Sequence, residues 1–340
     1  MNFIFEKSIG SLLQYFNRPS LTMHREKNGW HNFRYGEQTK VAIYIERFVS
    51  TPTITNFDIE YLQRLFSVIY LVETLESTSD STLGGIDIYV STTPSELPKE
   101  FYSKVPTLVL EPTELYFSTV HNGEAEIKVL LKNDIPNIVS NIWIQEDIIE
   151  DVFLVLKKIM SLKHKYYPIE RGSELFFRKV FLPGTILFVP RSVTIDDKSN
   201  VALILRASIP PETSSKNIIE SLVEKIGNKD KIKEVKILKQ PVRVLPQQEI
   251  HKIAEETFVK IYKRFPEYEW FPFSTVFNDL AKVNESILSI GPKSYSDITS
   301  SNVEFDVDVS KEFSNFISNV IQRIIQREGM KNEKMDGRCY

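Results

Sequence analysis

The chain has 340 residues, 42% of them hydrophobic, and one hydrophobic core seldom grows past roughly 250–300 residues, so two domains are expected. A formal net charge of -3 with 26% charged residues offers no basic face of the kind nucleic acid requires, and no run of about 18 apolar residues is present to cross a membrane. The one cysteine, Cys339, excludes a disulfide framework and a CxxC metal site, while glycine, at 12 residues, has about half its usual share of roughly 7%, which leaves few turns where backbone could close on a phosphate or metal.

In chain order, Phe3, Ile4, Ile9, Leu12, Leu13 and Phe16 recur at helical spacing over residues 3–16. Glu6 and Lys7 fall inside that pattern and no small-residue cleavage site follows, which favours an amphipathic helix over a secretory leader, and with the single cysteine a cytoplasmic, reducing location is expected. The run over 41–49 predicts a buried strand. Residues 58–75 predict the clearest helix of the first half, apolar at Leu62, Leu65, Phe66, Ile69 and Leu75, with Thr55 or Asn56 as its cap. Two apolar runs, GGIDIYVST and PTLVLEP, predict further buried strands. Strand, helix, strand, strand in this rhythm predicts an α/β layer with a largely parallel sheet.

The pattern then changes. Residues 115–131 predict a β-hairpin turning at Asn122-Gly123. A helix over 147–161, strands over 187–193 and 201–209, a helix over 214–226 behind Pro210-Pro211 and a strand over 233–238 complete a small α+β domain closed by Pro241. A helix over 249–264, a short strand over 286–290 ending in Gly291-Pro292 and a helix over 310–327 follow, and the charged tail from Glu328 is expected to fray. The expected architecture is a discontinuous α/β domain over 1–114 and 240–340, with an α+β domain over 115–239 inserted into it.

Several stretches, in order, resemble the acetylornithine deacetylase family of dinuclear zinc peptidases. LVLEPTELYFSTVHNGEAEIKVLLKND, over 108–134, is similar to that family's strand ending in Glu-Pro-Thr and the opening of its inserted lid or dimerisation domain. NVALILRASIPPETSSKNIIESLVEKI, over 200–226, resembles the lid strand with Arg-x-x-x-Pro-Pro and its helix. STVFNDLAKVNESILSIGPKSYSDITSSNVEFDVD, over 274–308, looks like the last metal region, and Arg18-Pro19-Ser20 also fits. The short N-terminal region and lid spacing resemble most the lysine and ornithine hydrolases that act on an amino-group carrier protein. The resemblance implies a zinc-peptidase-like α/β domain carrying an α+β lid, and a homodimer or paralogue assembled through that lid. Function, however, resides in the site.

In the family, two zinc ions are held by His-x-Asp after a strand, a bridging Asp, a Glu-Glu pair, an acidic residue before Pro and a final His, with a carboxylate to activate water. The resemblance places Arg47 and Val49 where His and Asp belong, and an arginine there repels a divalent cation. Asp58 falls at the bridging position, Glu96 at one carboxylate of the pair, Ser95 or Pro94 at the general base, Glu111 at the fourth ligand, and Asp297, or Ile298 with the alignment shifted by one, at the final His. Asn137 stands for the lid histidine; Asn278, and Arg206 of the lid strand, are the matches to substrate-holding positions. Each position also has a plain reading: Asp58 as a helix-start carboxylate, Glu111 as a strand end, Asp297 as a turn residue, and the five scattered histidines as surface or core.

Two functions follow. One is a homologue of amidohydrolases and deacylases of lysine, ornithine and arginine metabolism that has lost dizinc catalysis, needs no cofactor, and binds a small amino-acid derivative or a partner chain. The other is an active metallohydrolase cleaving an N-acyl or carrier-linked amide with an altered site and one or two zinc, manganese or cobalt ions. A single ion on Asp58, Glu111 and Asp297 would favour magnesium, calcium or manganese, three carboxylates being hard ligands.

Overall fold

The computed structural model of the chain describes residues 14–16, 18–47, 56–77, 85–92, 96–113, 115–132, 153–154, 157, 186–195, 201–211, 214–226, 229–271, 274–292 and 306–336. In chain order they form β1 (Leu21–Lys27), β2 (Trp30–Tyr35), β3 (Thr39–Ile45), α1 (Asn56–Ser77), β4 (Gly85–Ser91), β5 (Thr107–Leu110), β6 (Phe117–His121) and β7 (Gly123–Lys132). Then come β8 (Leu187–Ile195), β9 (Val201–Ile209), α2 (Ser215–Ile226), β10 (Ile232–Lys239), β11 (Val242–Arg243) and α3 (Glu249–Tyr262). The last elements are β12 (Tyr268–Phe271), α4 (Val276–Leu280), β13 (Ile287–Ile290) and α5 (Val307–Asp336). Two compact units result, Met1–Thr119 with Val244–Glu269 and Thr275–Tyr340, and Val120–Arg243 with Trp270–Ser274.

The first unit is built on a sheet in the order β1-β2-β4-β3-β5-β13-β6. It is mixed, which corrects the expectation of a largely parallel sheet. β3 runs parallel to β4 and β5, and β13 parallel to β5, while β1, β2 and β6 are antiparallel to their neighbours. The antiparallel edge comes from a hairpin ahead of β3. Asn28 (φ 52) and Gly29 (φ 75) occupy the left-handed region between the paired Lys27 and Trp30, the two-residue turn that matches strand twist.

Side chains alternate along these strands. Val41, Ile43, Ile45, Ile88, Leu108, Leu110 and Leu288 face a core shared with Leu65, Val68 and Val72 of α1, Phe258 of α3, and Phe313, Phe316 and Ile317 of α5. Each such burial contributes roughly 1.5–3 kcal/mol, so this face fixes the register. On the other face Tyr44 stacks on Tyr89 with centroids 4.4 Å apart, and the Tyr44 hydroxyl donates to Phe101 O. Near the end of α1, Arg18 pairs with Glu73 at 2.8 Å and Glu76 at 2.7 Å. Beyond Glu328, where fraying is expected, α5 continues to Asp336. Gly329 costs a helix only about 1 kcal/mol, and the following Met, Lys and Glu propagate it.

The second unit is an antiparallel sheet in the order β10-β7-β9-β8. Ile218 and Leu222 of α2 pack on Ala125, Ile127, Val129, Leu203, Leu205 and Ala207. The predicted hairpin at Asn122-Gly123 is absent. Val120 and His121 of β6 pair with Arg243 and Val242 of β11, while β7 pairs with β9 and β10. Gly123 serves close approach instead of a turn: a Cβ there would lie 2.4 Å from Lys239 O and 2.5 Å from Pro241 N. Residues 3–13 of the expected N-terminal helix, and all of 147–161 except 153, 154 and 157, lie outside the described residues. Among the described residues no helix is long and apolar enough to cross a membrane.

Candidate functional site at the strand ends

Register brings the polar groups of the first unit together. Ile45 of β3 and Ile290 of β13 both pair with Leu110 of β5. The following residues, Glu46 and Glu111, alternate to the opposite face and leave the sheet side by side. Ser289 faces the same way, and its hydroxyl donates to Glu111 Oε2.

The start of α4 closes over this pair. Thr275 is its N-cap: Oγ1 accepts from Phe277 N at 3.1 Å, and the hydroxyl is bonded to the Glu111 carboxyl. Thr275 N donates to Asn278 Oδ1 at 2.8 Å, completing a capping box. Glu46 Oε2 accepts from Val276 N at 2.6 Å, meeting one of the amides that a helix start leaves unsatisfied.

Helix α1 contributes from the other side. Tyr61 donates through its hydroxyl to Ser91 O at 2.8 Å, and Arg64 donates from Nη1 to Leu110 O at 2.7 Å. Arg47 Nη1 donates to Thr92 O at 3.0 Å. These are carbonyls at the ends of β4 and β5, where ladder partners run out. The Glu111 backbone is pinned as well. A Cβ at Gly291 would lie 1.6 Å from Glu111 O. Gly291 N donates to Thr113 Oγ1 at 2.8 Å, and Leu115 N donates to Gly291 O at 2.9 Å. The Glu-Pro-Thr and Gly-Pro turns therefore pack backbone to backbone.

Burial sets the electrostatics. Glu111 and Arg64 are fully buried, and Glu46 and Arg47 nearly so. Loss of water pushes the Glu111 carboxyl up to about 8; the Ser289 and Thr275 bonds resist that rise, the Glu46 charge adds to it and the Arg64 charge opposes it. At neutral pH Glu111 is largely a neutral acid.

Of the residues expected at the site, Glu111, Asn278 and Arg47 come to the strand ends, with Asn278 engaged in the capping box. Asp58 lies in the first turn of α1, but its side chain is outside the described residues, as are Asp297, Val49, Ser95 and Asn137 altogether. Glu96 is exposed and takes no part in the buried cluster. Arg206 belongs to the second unit, where Nη1 donates to Glu124 Oε1 at 2.5 Å and Nε lies 3.3 Å from Glu126 Oε2. Glu46, Arg64, Thr275 and Ser289 are the members the sequence did not disclose. Only Arg64 had a signal, a charge three residues after Tyr61 and four before Val68 on a buried stripe.

A dizinc centre needs deprotonated ligands open to the ions. The described residues do not fit one. Glu111 is buried beneath the Ser289 and Thr275 hydroxyls, and among the described residues no three His, Cys, Asp or Glu side chains gather to hold a metal.

In sequence, no protein family and no curated protein matches the chain. In structure it resembles an amidase of the hydantoinase/carbamoylase family from Burkholderia vietnamiensis, with TM-score 0.61 and 9% identity over 94% of this chain and 90% of that one. It also resembles aminopeptidase PepT from Bacillus cereus, with TM-score 0.59 and 11% identity over 93% and 92% of the two chains. A third similar structure is a dinuclear metal-binding peptidase from Bacillus subtilis, with TM-score 0.53 and 8% identity over 94% and 92%. The chain thus has the dinuclear zinc peptidase fold that its motifs resemble.

Proposed function

We propose that this protein keeps the fold of zinc-dependent amidohydrolases and deacylases without their dizinc chemistry, and works as a binding or assembly protein. The observation that carries the reading is the filling of the strand ends. Arg47, which the family resemblance sets at the first metal-ligand position, is nearly buried, and Glu111 is fully buried beneath Ser289 and Thr275. A divalent ion entering here would have to displace a guanidinium and deprotonate a carboxyl that burial keeps neutral, both at a desolvation cost. Its ligand on this reading is a small amino-acid derivative of the lysine, ornithine or arginine type, and its partner a second copy or an active paralogue joined through the inserted domain.

Restoring ligands tests this. Arg47→His combined with Val49→Asp should raise zinc or manganese affinity in isothermal titration calorimetry above that of the unmodified chain, with activity still absent. Hydrolysis of N-acetyl amino acids by the unmodified protein supplied with zinc would overturn the reading in favour of a metallohydrolase with an altered site.

A further inference from the structure

We propose that His24 is an extra residue built into the edge strand β1, where it stops the sheet of the first unit from adding a strand of a second copy of this chain. Among the described residues β1 has a neighbour, β2, on one side only, and every residue from Thr22 to Lys27 is exposed. An edge of that kind offers unpaired amides and carbonyls to any passing strand. The pairing with β2 runs Leu21↔Tyr35, Thr22↔Arg34, Met23↔Phe33, and then Arg25↔Asn32, Glu26↔His31, Lys27↔Trp30. Consecutive residues of β2 thus oppose Met23 and Arg25, and His24 is passed over as a β-bulge. The bulge divides the outward row of backbone groups into two short runs that are out of step, and no regular strand can pair with both.

A fixed point holds the extra residue in place. Arg34 Nη1 lies 2.9 Å from His24 Nε2, and because a guanidinium only donates, the imidazole nitrogen is the acceptor. Arg34 is itself fastened to Asp87, by Nε at 2.7 Å and Nη2 at 2.9 Å. Asp87 is buried in the sheet and also accepts from Thr39 Oγ1 at 2.9 Å and from the Tyr89 hydroxyl at 3.3 Å. The bidentate pair sets the plane of the guanidinium, and the guanidinium fixes where along β1 the unpaired residue sits. Deleting His24 is therefore a clean perturbation. All six remaining pairs can keep their partners, with Leu21 still in the core, while the outward row of amides and carbonyls becomes continuous.

Deletion of His24 in the full chain tests this, read by sedimentation equilibrium and by hydrogen exchange of the β1 amides. The deletion variant should self-associate at least about tenfold more tightly than the unmodified chain, and its β1 amides should gain protection as concentration rises. His24→Ala keeps the bulge and should match the unmodified chain. Unchanged association on deletion, or association without concentration-dependent protection at β1, would overturn the proposal. So would a His24→Ala variant that associates as the deletion does, since the side chain and not the extra residue would then be the guard. Should the deletion variant prove insoluble, adding Met23→Lys, a charge at an exposed position of the same edge, must return it to solution; continued insolubility counts against the proposal. None of these outcomes depends on bound metal or ligand, so the functional reading above stands or falls separately.

Discussion

Replacing Glu111 with Gln should abolish one specific pH dependence of stability. Gln keeps the shape of the neutral acid and can still accept from the Ser289 and Thr275 hydroxyls, but it cannot ionise. In the unmodified chain the carboxyl is raised from 4.5 to about 8 by burial. The folded state therefore holds a proton that the unfolded state releases across that interval. This group's contribution is greatest below pH 4.5, falls as pH rises towards about 8, and is level above it. At roughly 1.4 kcal/mol per pH unit, the interval of 4.5 to about 8 corresponds to about 5 kcal/mol as an upper bound. Urea midpoints between pH 5 and 9 give the measurement, with fluorescence of Trp30, fully buried in the first unit, as a local probe. The difference between the two proteins reports Glu111 together with the Glu46 charge coupled to it. The variant should gain stability over the parent by several kcal/mol as pH rises to about 8, then hold that margin. Parallel profiles for the two proteins from pH 5 to 9 would refute a buried, protonated Glu111.

Three further outcomes follow from the same geometry. Gly291→Ala should cost about 3–5 kcal/mol in urea unfolding, because its Cβ would lie 1.6 Å from Glu111 O and backbone cannot step aside as a side chain can; a loss below 1 kcal/mol would show that the two turns are not pinned together. Thr275→Ala should cost about 1–2 kcal/mol through the lost helix cap, and should also move the Glu111 inflection to higher pH by removing a hydrogen bond that holds it down; an unmoved inflection would separate Thr275 from the carboxyl. His251 is held below its ordinary 6.5 by burial, with Nε2 donating to Ile287 O at 3.0 Å. Its contribution is complete above pH 6.5 and drains away as pH falls below that, so His251→Gln should flatten the acid side of the stability profile, and an unchanged acid limb would contradict that assignment.

The sequence was most legible where burial dictates pattern. Among the described residues, the helices expected over 58–75, 214–226, 249–264 and 310–327, the apolar strand runs and the Glu-Pro-Thr and Gly-Pro turns lie where periodicity and turn chemistry put them. Asn-Gly shows where pattern alone stops. Asn28-Gly29 makes a tight hairpin with both residues at positive φ, yet the hairpin was expected at Asn122-Gly123, where the glycine admits the passing backbone of Lys239 and Pro241. The dipeptide is the same, and only the tertiary neighbours decide which property of glycine is used. The site was half legible for a related reason. Glu111 and Arg47 stand out by motif, but Glu46 gains its meaning from the pairing of Ile45 with Leu110, residues 65 apart in the chain, and Ser289 from the parallel pairing of β13 with β5. Such register is set by the sheet as a whole, not by any local run of residues.

The central claim is that cationic and hydroxyl side chains of the chain itself fill the place of a dinuclear metal centre. Elemental analysis of protein purified without chelators tests it most directly. The account predicts no stoichiometric zinc, manganese or cobalt and no rise in thermal stability when these ions are added. One or two equivalents of bound metal, retained through gel filtration and lost together with activity on an acylated amino acid when a chelator is added, would contradict it.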